Sequence, residues 1–221
     1  MAFQRPIGWL TAPRVALLAF LAVFAMFILV FHAELPLSAA LNRVVVLQEA
    51  GGNAKLPPNC QEIDLHGYSL GQPLHSFDGL RRGYDSPEAK RILCAMGAGD
   101  GTGAEIYLRR HFPLDMAFAG FAGIALAAIW LFLMREFRWS ASALTYLALV
   151  PIAAALLDWT ENLLVHSLVA DGPPGSETLI PIASVITQVK WRAYEVSSVV
   201  VLGLLFVYLV RRAFLADRQP G

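Results

Sequence analysis

The chain has 221 residues, 57% of them hydrophobic and only 15% charged. Seventeen basic and seventeen acidic residues cancel, leaving no basic field for nucleic acid and no acidic tail. Apolar runs of bilayer length and a positive mean hydropathy place the sequence among polytopic membrane proteins.

Four candidate spans cover 14–32, 114–134, 140–170 and 179–210. Only the first follows a short charged leader, with Arg5 and Arg14, so it resembles a secretory signal. Its apolar core, 15–31, exceeds the roughly 7–15 residues of a signal h-region. An uncleaved signal anchor is therefore expected, with Ser38, Ala39 and Ala40 as the alternative cleavage site. The arginines orient the chain. Arg135 and Arg138 occupy the turn after the second span and Arg211, Arg212 and Arg218 follow the fourth, whereas the 170–178 turn has none. By the positive-inside rule both termini are cytoplasmic.

This gives a cytoplasmic leader and first helix at 1–33, a periplasmic cap at 34–113, a three-helix region with an extended external hairpin at 114–212, and a tail at 213–221. The only cysteines, Cys60 and Cys94, both fall in the cap, and an even pair in an oxidising compartment predicts one disulfide. The redox spacing Cys-x-x-Cys is absent.

Within the cap, 34–57 reads as a linker in which 41–47 suits a short strand or helix. Alternation over 61–66 predicts an exposed strand with Ile63 and Leu65 inward, paired with 74–77. Gly67-Tyr68-Ser69-Leu70-Gly71 fits the nucleophile-elbow pattern, but Gln72-Pro73 follows where a helix should begin, so a turn is expected. Cys60, Glu62, Asp64 and His66, with His75 nearby, read as solvated polar positions rather than metal ligands. Ser86-Pro87-Glu88 starts a helix that stops at Gly97. Glycine-rich 97–103 lacks a phosphate-loop ending and reads as a linker to a helix over 102–112, ended by Pro113.

Ionisable side chains gather in the last hydrophobic third of the chain. Asp158, Glu161, Asn162 and Val165 share a helical face, with His166 at its edge. Thr187, Lys190, Tyr194 and Ser197 form a stripe on the following helix, and Gln188, Arg192 and Glu195 another. Counting about twenty residues at 1.5 Å each from Arg138 and from Arg211 puts Asp158 and Lys190 alike at the outer edge of a hydrocarbon core roughly 30 Å thick. Trp159 and Trp191 beside them, like Trp9 and Trp139, suit interfacial anchoring. The structural expectation is Asp158 or Glu161 paired with Lys190, and Arg192 with Glu195. A metal held by Asp158, Glu161 and His166 is not expected, because Glu-x-x-His and His-Glu-x-x-His spacings are missing.

Gly83-Tyr84 before a short helix, Tyr107 and Asp115 leading into the second span, Asp158-x-x-Glu161-Asn162 and Lys190-Trp191 resemble a group of bacterial four-helix membrane proteins over residues 80–210. The resemblance implies that fold and carries no activity or cofactor. The long first external segment with two cysteines is similar to the claudin layout, without that family's Gly-Leu-Trp signature.

The sequence thus predicts an all-α inner-membrane protein, a four-helix transmembrane bundle with a small mixed cap. The expected site is Asp115, Asp158, Glu161, Asn162, Lys190, Tyr194 and Glu195, binding membrane lipid or another lipid-like ligand, or a membrane protein partner, including a second copy. The alternative is a membrane-embedded enzyme on a lipid-like substrate, with Glu161 or His166 as general base, Asp158 orienting and Lys190 stabilising negative charge.

Overall fold

The computed structural model describes residues 13–49, 55–63, 65, 74–139 and 143–216. The 67–71 turn, Asp64, His66, Arg5, Trp9 and Arg218 lie outside them. The described residues are helical and contain no strand. Helices α1 (Pro13–Glu49), α2 (Ser86–Met96), α3 (Thr102–Ile106), α4 (Phe112–Glu136), α5 (Leu149–Asp171) and α6 (Leu179–Ala216) follow in order. Four helical stretches are long and apolar enough to cross a membrane: Leu21–Gln48, Thr102–Glu136, Ala143–Asp171 and Leu179–Arg211. The chain has the helices of a multi-pass membrane protein.

Three local expectations are corrected. The 34–57 linker does not begin at residue 34, because α1 runs on through Pro36 to Glu49. Ala33, Leu37 and Leu41, spaced by four, are all buried, and their burial offsets the hydrogen bond that the proline removes. Pro113 does not end a helix either. A single π-helical turn, Tyr107–His111, joins α3 to α4, with the Phe112 N–H bonded to the Tyr107 carbonyl, and Pro113 falls in the first turn of α4, where its missing donor is tolerated. Finally, among the described residues the expected strand at 61–66 and its partner at 74–77 are absent: Gln61 and Glu62 make a turn and Phe77–Gly79 a short 3-10 helix. Ile63 and Leu65 still face inward, packed with the buried Cys60 and Cys94.

Cys60 and Cys94 are joined in a disulfide. Asp85, one residue before the expected cap, accepts the Glu88 N–H at 2.7 Å and starts α2. The α2 to α3 connection contains Asp100, whose carboxyl is held below its usual range by the Thr102 hydroxyl and then by the Thr102 N–H.

The chain divides into two compact units. The first takes its described residues from 13–25, 119–156 and 190–216. Its core is Trp130, Phe132, Leu133 and Met134 of α4 with Ala148 and Val201. Gly123 lets α4 approach α5 closely, since a β-carbon there would lie 2.9 Å from the Pro151 carbonyl oxygen. The second unit is Met26–Phe118 with Leu157–Val189. In its core Leu37 and Leu41 of α1 and Ile92, Leu93 and Met96 of α2 pack with Val165, Leu168 and Val169 of α5 and Ile180 and Ala183 of α6. The apolar face of α2 therefore covers the end of the α5–α6 hairpin.

Candidate functional site: a buried polar layer in the second unit

The face of α5 predicted from helical spacing is the one the fold buries. Asp158 is 4% exposed, Glu161 0%, Asn162 1% and Val165 2%. Asp115, in the first turn of α4, is 7% exposed, and its Oδ2 accepts a 2.6 Å hydrogen bond from Asn162 Nδ2. One residue along, Trp159 Nε1 donates to the Met116 carbonyl at 2.7 Å. Two neighbouring bonds thus fix the register of α5 on α4.

From α6, the fully buried Thr187 donates its hydroxyl to Glu161 Oε1. The same hydroxyl lies 2.9 Å from the Ala183 carbonyl oxygen, so one proton has two acceptors in reach. A turn earlier, the buried Ser184 Oγ accepts the Tyr84 N–H at 3.0 Å and ties the residues before α2 to α6. Gly83 makes that approach possible. Its φ of +78° suits glycine, and a β-carbon would sit 2.5 Å from Gln188 Nε2.

A second polar cluster went unnoticed in the sequence. Glu34 of α1 accepts bonds from Ser76 Oγ at 2.7 Å and Ser38 Oγ at 3.2 Å, and its Oε2 lies 3.3 Å from His111 Nδ1. His111 is 1% exposed and stacks on Tyr107 with 5.5 Å between centroids. A helix read through Pro113 would have placed His111 one turn before Asp115, on the same side. Reading 34–57 as a linker removed Glu34 from view.

His166 is half-buried with its ring 4.4 Å from that of Phe112, and its Nδ1 has no hydrogen-bond partner among the described residues. Lys190, Tyr194 and Glu195 belong to the first unit. Lys190 is 3% exposed, with Nζ 5.9 Å from the Trp191 ring centroid. Glu195 is exposed and pairs with Arg192 at 3.1 Å, as the spacing predicted. Among the described residues no three His, Cys, Asp or Glu side chains group to hold a metal ion.

The fold and these side chains define a class: an all-helical multi-pass membrane protein with a buried layer of carboxyls, amide, hydroxyls and imidazole in one unit. No protein-family model, no curated protein and no solved structure matches the chain.

Proposed function

We propose that the chain is a protein of a bacterial inner membrane, with both termini cytoplasmic, and that the layer around Asp115, Glu161 and Asn162 holds the polar end of a lipid-like ligand. The observation that carries this reading is burial: Asp115, Asp158, Glu161 and Asn162 are each 7% exposed or less, on helices otherwise apolar enough to cross a bilayer. Ionisable groups in such helices are costly, and their default reading is functional. Exposed Arg135 in the last turn of α4 and Arg138 just beyond it, and a disulfide suited to an oxidising compartment, support the orientation.

Glu161→Gln tests the ligand. The amide keeps an oxygen for the Thr187 hydroxyl but removes the charge. Native mass spectrometry of gently solubilised wild type is expected to show a stoichiometric small molecule, lost in a variant that still melts like wild type. Retention of the ligand by the variant, or its absence from both, overturns the reading.

Orientation is tested separately. With the native cysteines joined to each other, a new thiol at Arg138→Cys is expected to react with a membrane-impermeant maleimide only after permeabilisation, and one at Ser176→Cys in intact cells. Labelling of position 138 from outside reverses the topology.

A further inference from the structure

Away from the buried layer, the second unit carries a cavity of about 560 Å³ lined by Ile63, Ser86, Pro87, Lys90, Arg91 and Glu177. Lys90 and Arg91 stand one turn beyond Ser86 and Pro87 on α2, so consecutive i, i+4 rows form one wall. Ile63 and Pro87 give the cavity an apolar part, and its size suits a small organic ligand with a few oriented polar groups.

Two cations and one carboxylate line the cavity. Glu177, from the loop before α6, reaches Lys90 with Oε1 2.7 Å from Nζ, although the Glu177 side chain is 80% exposed. The hydrogen bond and charge of Lys90 hold the Glu177 carboxyl below its usual range. Lys90 is thus already presented to an oxyanion within the groove, and that oxyanion is the chain's own. An ion pair so open to water is weak and exchanges readily with an incoming anion. Arg91 lines the same groove, and a guanidinium beside Lys90 raises the positive potential that an incoming carboxylate or phosphate meets.

We infer that this groove is an anion site, taking a carboxylate or phosphate group in competition with Glu177. It is independent of the buried layer and would stand if that layer bound nothing. Displacing Glu177 loosens one tie between α2 and the loop before α6, so occupancy is reported at the cap surface.

The test is titration of the full chain in phosphatidylcholine nanodiscs, first with inorganic phosphate, read by calorimetry, and then by comparison with nanodiscs that also contain phosphatidic acid. Glu177→Gln leaves Lys90 uncontested and is expected to tighten phosphate binding about three- to tenfold, while Lys90→Gln with Arg91→Gln weakens it at least about tenfold. These side chains lie at the surface, and melts of the variants are expected to match wild type. Saturation by phosphate identifies a soluble anion as the source. Protection of Lys90 from acetylation by phosphatidic acid alone identifies a lipid headgroup. Neither effect, or binding indifferent to the Lys90 and Arg91 changes, overturns the assignment.

Discussion

Replacing Cys60 and Cys94 together by alanine is expected to destabilise the second unit by about 4 kcal/mol. The bond closes a loop across a sequence separation of 34, and the chain-entropy relation gives about that figure for a loop of this length. Both sulfurs are fully buried against Leu65, with Val44, Leu56 and Ile63 partly buried around them, so packing adds to the constraint. The effect should be local. Four long helices keep their backbone hydrogen bonds within themselves, whereas α2 has eleven residues and depends on tertiary contacts to persist. Urea unfolding in mild detergent should therefore show the oxidised wild type most stable, with reduced wild type and the double variant alike. Limited trypsin digestion should open first at Arg81, Arg82, Lys90 and Arg91, while far-ultraviolet circular dichroism stays largely helical. A double variant within about 1 kcal/mol of wild type would falsify the view that the bond holds this unit together.

What was legible in the sequence followed from strong periodic signals. Spans of twenty or more apolar residues announce themselves. The 158–162 face was correctly read because spacings of three and four place side chains on one side of a helix wherever the chain sits. The disulfide was legible because the chain has only two cysteines, both between the first two spans.

The failures trace to particular residues. Residue 34 read as the start of a linker and Pro113 as a break, yet both lie within a helical path, one carried through Pro36 by the buried Ala33, Leu37 and Leu41, the other eased by a π turn. Those two misplaced ends hid the cluster: Glu34, assigned to a linker, had no face to share, and His111, in a helix stopped at Pro113, was not carried on to the side of Asp115. The alternation at 61–66 was real as burial of Ile63 and Leu65. It was wrong as strand, because turns and the disulfide position those residues without a ladder. Short polar segments of this kind are decided by tertiary contacts that local periodicity does not contain.

The hydrogen bond from Asn162 to Asp115 should prove strongly coupled, and its strength bears on whether the buried layer is there for architecture alone. Asn162→Leu removes a 2.6 Å donor from a carboxylate that is 7% exposed. Bonds to a charged group contribute about 1.5–3 kcal/mol, and stripping one partner leaves the desolvation cost of the other, so a loss of about 3 kcal/mol is expected. Asp115→Leu should cost a similar amount for the reciprocal reason. The double variant replaces both groups by apolar side chains of comparable bulk and should lose less than the sum, by about 1–2 kcal/mol. Because Asp115 makes other interactions as well, the coupling energy of the cycle is the quantity to read, since contributions outside the pair cancel in it. The cycle also separates architecture from function. If the layer only sets helix register, the double variant should still fold and retain whatever the native protein does in the cell. If the layer binds a ligand, the double variant should still fold yet lose the small molecule seen by native mass spectrometry, since leucines offer neither an oxygen to accept nor an amide to donate. The second outcome is the one expected. Isolated apolar replacements of buried polar pairs are often neutral for folding, so stability alone does not explain why apolar helices carry Asp115, Asp158, Glu161 and Asn162 at depth.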